Sequence, residues 1–317
     1  MAKRKHKAPG KSHRKGMTIM ELFDRFPNDE AAEEWFESTR WGIRRESLCC
    51  PRCGSVRVNP TETRKPMPYW CGDCRRHFSV RIGSAMERSK IGYQKWAIAI
   101  YMWTTSLKGV SSMKLHRELG ITQKSAYFMA QRLREAWPSR EHKMEGPLEV
   151  DETFMGGKEK NKHEDKRSHT RGPSGKTVVV GMKDRRTNKV IAKPVPERTK
   201  EELHGFIREA VSPNAKVYTD DHRSYIGLPY DHESVNHSVG EYVRDQAHTN
   251  GVESFWALLK RGYYGTFHHI SPNHLHRYVN EFANRHNLRN KDTEDMMQEM
   301  FASLIGKRLM YKELIAK

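Results

Sequence analysis

Apolar residues recur at three- and four-residue steps along some stretches and at two-residue steps along others, and the change of period divides the chain. Met20, Leu22, Phe23 and Phe26 precede Pro27, and Ala31, Ala32, Trp35 and Phe36 follow it. This predicts a short helical unit over 17–48 with Asn28 as an N-cap. From 92 to 137 the pattern is helical throughout. Tyr93, Trp96, Ala97, Ile100, Tyr101 and Trp103 make one apolar stripe. Met113, Leu115 and Leu119 make a second, and Ala126, Met129 and Leu133 a third, with Gly120 and Thr122 between them. A short helix, a turn containing Gly, an N-cap Thr and a second helix predict a helix-turn-helix over 90–138.

Pro138 and Gly146-Pro147 bracket a linker, and beyond it the period becomes two. Strands are expected at 148–154, 178–182 and 190–192. A helix opened by Thr199 follows, with Leu203, Phe206, Ile207 and Val211 as its stripe. A fourth strand covers 216–221, and a fifth is expected at 234–237 with 242–243. The stretch 248–265 is a helix whose buried face holds Val252, Phe255, Trp256 and Leu259. Helices over 271–290 and 293–313 close the pattern. Three strands, a helix, a strand and a helix give the order of a ribonuclease-H-like α/β domain over 146–268, with C-terminal helices over 269–317. The polar loop 156–176 is either a functional loop over a phosphate backbone or a plain disordered one.

Charge narrows the class of partner. Lys and Arg number 57 against 39 Asp and Glu, a formal net charge of +18, which suits a polyanion and first of all double-stranded DNA. Residues 1–16 are a disordered basic arm, either touching phosphates or solvated. No run of 18 apolar residues exists and no apolar segment follows the basic start, so neither a membrane span nor a secretory signal is expected. A reducing, cytoplasmic setting follows, in which the five cysteines serve metal binding rather than disulfides.

Four of those cysteines form Cys50-Pro-Arg-Cys53 and Cys71-Gly-Asp-Cys74 with seventeen residues between the pairs. Each pair aims two thiolates at one tetrahedral ion, so a zinc ribbon is expected over 49–80, its Zn2+ structural because four thiolates leave no open position. Cys49 is either a spare small hydrophobe or an exchange partner for Cys50. In a helix-turn-helix the first residues of the second helix meet the bases, so Gln123, Lys124, Ser125 and Tyr127 are the expected DNA readers. The same pattern also fits an ordinary helical hairpin.

Asp151 and Asp220 each stand at the C-terminal end of a hydrophobic strand, and neighbouring strands would bring both to one cleft. Asn250 and Glu253 share a face near the start of the next helix, Thr249 or Asn250 can cap it, and Lys260 lies two turns beyond Glu253. Three carboxylates with open positions suit Mg2+ or Mn2+, and two such ions would clamp an in-line phosphoryl displacement. The competing reading has these acids capping helices or pairing with Arg. No Gly-Lys-Ser loop of the phosphate-binding type is present, so nucleotide hydrolysis is not expected.

The chain resembles the bacterial insertion-sequence DDE-type transposases, in the branch with an N-terminal zinc ribbon and an integrase-like catalytic domain. The resemblance covers about 20–290. It rests on Cys50-Pro-Arg-Cys53-Gly, Glu149-Val-Asp151-Glu-Thr-Phe-Met-Gly-Gly157-Lys, Tyr218-Thr-Asp220, His248-Thr-Asn250-Gly-Val-Glu253-Ser-Phe-Trp256-Ala-Leu-Leu-Lys260-Arg-Gly262 and His274-Leu-His-Arg-Tyr278. It implies metal-dependent cleavage at the ends of a mobile element and strand transfer, with Asp151 and Asp220 as the first two ligands. For the third the family shows either an acid or an Asn, followed downstream by a Lys; Glu253 is expected here, with Asn250 the other candidate and Lys260 beside a DNA phosphate. A homo-oligomer on DNA is expected. Two other classes compete: a DNA-binding regulator with an inert second domain, and a nuclease without strand transfer.

Overall fold

The computed structural model describes residues 14–45, 47–135, 143–157, 161, 163–167, 175–235 and 249–316. They fall into two compact units, 1–138 with 290–317 and 139–289. Elements are numbered in chain order.

In the first unit, Thr18 and Asn28 cap α1 (Ile19–Arg25) and α2 (Asp29–Trp41), each accepting a backbone N–H three residues on. Leu22 and Phe26 turn inward, whereas Met20 and Phe23, read as part of the stripe, are exposed. Next come β1 (Val58–Pro60), β2 (Tyr69–Cys71) and β3 (Arg76–Phe78), paired antiparallel in that order. Three helices follow: α3 (Tyr93–Thr105), α4 (Ser112–Leu119) and α5 (Gln123–Glu135). Gly120 ends α4 at φ 57°, a left-handed conformation that costs glycine nothing. The Thr122 hydroxyl then accepts the Ser125 N–H at 3.2 Å to open α5.

The unit is completed from far along the chain by α9 (Thr293–Leu304) and α10 (Tyr311–Ile315). Phe301 of α9 meets Phe36 at 4.7 Å between ring centroids, and the Trp35 indole donates to Glu294 at 2.7 Å. The helices expected as one group over 269–317 are therefore split, because the apolar face of α9 matches α2 and α3. Met296, Met297, Met300, Phe301 and Leu304 are all buried.

The second unit holds a five-stranded sheet in the order β6-β5-β4-β7-β8: β4 (Leu148–Met155), β5 (Thr177–Asp184), β6 (Val190–Val195), β7 (Lys216–Asp220) and β8 (Asp231–Val235). The first three strands run antiparallel to one another; β7 runs parallel to β4, and β8 parallel to β7. Helix α6 (Lys200–Ala210), capped by Thr199, covers one face through Leu203, Phe206 and Ile207 against Leu148, Val150 and Met182. Helices α7 (Asn250–Gly262) and α8 (Pro272–Leu288) cover the other through Val252, Phe255, Leu259, Val279 and Phe282. The fifth strand starts at Asp231, three residues before the expected 234. The expected pairing at 242–243, the arm 1–13 and much of the loop 156–176 lie outside the described residues. Among the described residues no helix is long and apolar enough to cross a membrane.

Candidate active site

The central strands set the site. The β4–β7 ladder pairs Leu148 with Val217 and Glu149 with Tyr218. Continued by two residues, that register sets Asp151 beside Asp220. Asp220 ends β7 as expected, but Asp151 is the fourth of eight residues in β4 rather than its end. The strand runs on because Glu152 to Met155 keep pairing with β5.

Alternation sends Asp151 to the α7 face, where the Trp256 indole N–H donates to its Oδ2 at 2.9 Å. The indole lies across β5 at Gly181, the residue paired with Asp151. A Cβ at Gly181 would come within 2.5 Å of the Trp256 ring, so glycine there is what lets the indole reach the acid. Burial, then the Asp220 charge and the Glu253 charge, push the Asp151 carboxyl up to about 7, and the indole N–H opposes them. Two carboxylates that repel each other in a desolvated cleft favour a cation between them.

Glu152, on the opposite face of β4, was not expected to take part. Its carboxylate nevertheless joins the other two: Asp151, Glu152 and Asp220 each place an oxygen within 4.8 Å of the others. Arg198, from the turn before α6, pairs with Glu152 and stands 3.2 Å from Asp220 Oδ2. The buried Tyr225 hydroxyl donates to Glu152 as well. One guanidinium thus spans two of the three acids. The His222 N–H adds a 3.2 Å bond to Asp220 Oδ1.

A buried carboxylate fixes the start of α7. Glu149 Oε2 accepts the Val252 N–H at 2.9 Å, satisfying one of the helix's first free donors, and Arg185 Nε holds Oε1 at 2.9 Å. A Cβ at Gly251 would stand 2.5 Å from Glu149 Oε2, so glycine admits this contact. Thr249 occupies the cap position and Asn250 is the first helical residue, exposed, so Asn250 does not cap the helix. The Thr249 hydroxyl donates to Glu253 Oε1 at 2.9 Å instead. Glu253 is exposed and is not one of the three clustered acids, though its charge reaches Asp151. Lys260 is half-buried on the same helix.

In the first unit, Cys50, Cys53, Cys71 and Cys74 come together with all four sulfurs within 4.8 Å of one another. The Cys50–Cys74 and Cys53–Cys71 sulfur separations are both 3.7 Å. Sulfurs about 2.3 Å from a shared tetrahedral zinc would stand about 3.8 Å apart, so the four fit that ion. Backbone N–H groups of Cys74 and Asp73 hold the Cys71 thiol down to about 6. Cys49 stays outside the set. Of the expected DNA readers, Gln123 and Lys124 are exposed at the start of α5, and Ser125 and Tyr127 are half-buried.

The ISXO2-like transposase domain matches residues 143–287, nearly the whole second unit. A protein of the transposable element ISH50 of Halobacterium salinarum is 26% identical over 294 residues, covering 88% of this chain and 98% of that one. A transposase-like protein of Haemophilus influenzae is 34% identical over 102 residues, 31% of this chain and 81% of that one. Among solved structures, a chain of the simian T-cell lymphotropic virus intasome is 14% identical. The match covers 59% of this chain and 65% of that one, less than two thirds of its length, at a TM-score of 0.28, too low to bear on the fold. By its catalytic-region match and its relatives, the chain belongs to the DDE-type transposases of insertion sequences.

Proposed function

We propose that the protein binds the terminal inverted repeats of its element and carries out metal-dependent cleavage and strand transfer of double-stranded DNA. The observation that carries this is the placing of Asp151 and Asp220 at one level of adjacent parallel strands, in a sheet whose order fits a ribonuclease-H-like domain. Asp151, Asp220 and Glu253 would hold Mg2+ or Mn2+, which when bound supplies a clamp on the attacking and leaving oxygens of an in-line displacement. Trp256 orients Asp151, Arg198 offsets the charge of Glu152 and Asp220, and Glu149 fixes the helix that carries Glu253. Lys260, two turns beyond Glu253, would meet a DNA phosphate. The four-cysteine sheet acts as a zinc ribbon, and α4 with α5 as a helix-turn-helix whose Gln123, Lys124, Ser125 and Tyr127 read bases. Asn250 remains the other candidate for the third ligand, and assembly as a homo-oligomer on DNA belongs to the same reading.

Incubating the protein and Mg2+ with a labelled duplex carrying the flanking terminal repeat tests it. Joined products are expected. Cut but unjoined products would make it a nuclease, and a mobility shift without chemistry a DNA-binding regulator.

A further inference from the structure

The first unit carries a small basic cleft that the cysteine cluster and the helix-turn-helix leave unused. It is lined by Ser84, Glu87 and Arg88 from the segment before α3, by Arg132 of α5, and by Arg308 and Met310 from the segment leading into α10. Three guanidinium groups therefore meet one carboxylate, and Glu87 already accepts the Gly83 N–H at 2.9 Å. Arg132 lies over Phe128, its guanidinium carbon 4.1 Å from the ring centroid, and its buried Nε–H has no hydrogen-bond partner. A buried guanidinium donor with no acceptor is costly unless an anion supplies one.

The cleft is tied to the expected reading end of α5. Phe128 meets the Tyr311 ring edge-on at 5.6 Å, and Tyr311 carries the Lys124 ammonium 4.6 Å from its ring centre. The segment from Arg308 to Tyr311 thus follows α5 from Arg132 back to Lys124, about 12 Å at 1.5 Å per residue. Lys307, Arg308 and Lys312 are exposed along it. One surface joins the start of α5 to the three arginines.

We propose that this cleft binds a backbone phosphate of the duplex whose bases face the start of α5, which makes residues 307–312 part of the DNA-binding surface. The chemistry is that of guanidinium forks on phosphate oxygens, which position a protein without reading sequence. The proposal rests on the DNA-binding reading given above.

Arg88 and Arg308 are exposed, so Arg88→Gln and Arg308→Gln leave the packing in place. Full-length protein is titrated onto the terminal repeat and onto a scrambled duplex at several salt concentrations. Each variant should weaken both duplexes alike, and the salt slope should drop by about 1 per lost phosphate contact. Lys124→Ala should instead narrow the ratio between the two duplexes. Wild-type protein that binds neither duplex overturns the DNA-binding reading and this proposal together. Wild-type binding with affinity and slope unchanged in both arginine variants overturns the cleft alone. Inorganic phosphate forms the second arm: it should raise the Tm of wild type more than that of Arg308→Gln, and saturating duplex should remove the gain. A gain that persists beside bound duplex makes the cleft a free-anion site and overturns its assignment to DNA.

Discussion

The four cysteines and the three clustered acids are both sets of converging side chains, built on opposite principles. The cysteines come from two tight turns, their sulfurs stand 3.7 Å apart across each paired contact, and the three short strands around them bury only a small core of Tyr69 and Phe78 against Trp41. The acids come from two neighbouring strands in a sheet with apolar helices on both faces, and Arg198 already stands among them. The first set should need an ion in order to fold. The second is folded by the sheet, and a cation would relieve the repulsion between its acids. Loss of a ligand should therefore have opposite effects on stability at the two places.

The largest expected effect is at the cysteines. Cys53→Ser should abolish zinc content and unfold residues 49–80, because binding worth about 10–16 kcal/mol in small zinc domains is coupled to folding. Zinc analysis with limited proteolysis checks this; full zinc content in the variant would remove Cys53 from the set. Cys49→Ser should leave both unchanged.

Asp151→Asn should abolish cleavage and yet stabilise the metal-free second unit. The Asp151 carboxyl titrates near 7 in the folded chain against 3.8 ordinarily. As pH rises through that window the unfolded chain ionises first, so folded stability falls between about 4 and 7 and then levels off. The variant lacks this decline. Its Tm should exceed that of wild type at pH 8 and match it at pH 3.5, and equal curves across the range would show that Asp151 is not strained. Asp220→Asn should likewise abolish cleavage while DNA binding survives.

The third ligand sharpens the same contrast. Glu253 is exposed, so Glu253→Gln should leave the Tm unchanged while cleavage and joining disappear. Asn250→Ala, also at an exposed position, should change neither. A folded, DNA-binding Asn250→Ala protein that cannot cleave, beside an active Glu253→Gln protein, reverses the two roles.

The smallest effect is at Trp256. Trp256→Phe keeps a ring over Gly181 and removes one hydrogen bond to Asp151, worth about 1 kcal/mol. The proton then competes better with the cation. The Mg2+ concentration for half-maximal cleavage should rise several-fold at pH 7 and return towards wild type at pH 9. A pH-independent loss of activity would mean that the indole acts by packing alone.

What the sequence made legible follows how local each feature is. The cysteine spacing is a short-range signal and located its cluster to the residue. Asp151 and Asp220 were legible because polar residues interrupt apolar strands, although the run Glu152 to Met155 hid the true end of β4. Glu152 was not legible: alternation places it on the face opposite Asp151, and its pairing with Arg198 and Tyr225 is long-range. Glu149 looked like any strand acid, since the helix start it satisfies lies about a hundred residues away. Of the two possible caps, Thr249 holds the cap position and Asn250 is the first helical residue. The partners of α9 could not be read at all, because Phe301 meets Phe36 across most of the chain.

That last contact has a consequence for synthesis. The second unit is inserted within the first, and a ribosome that has released residues through 289 has delivered the whole catalytic sheet with α7 and α8. The surface of α2 and α3 that will receive Phe301 is then still bare, and it stays so until 290–304 emerge. A product broken off between those points would own every acid of the cluster and lack the closing helix of the other unit. Such a fragment, with the apolar surface of α2 and α3 uncovered, should be a ready substrate for proteases, so the order of synthesis leaves a partial copy exposed to degradation.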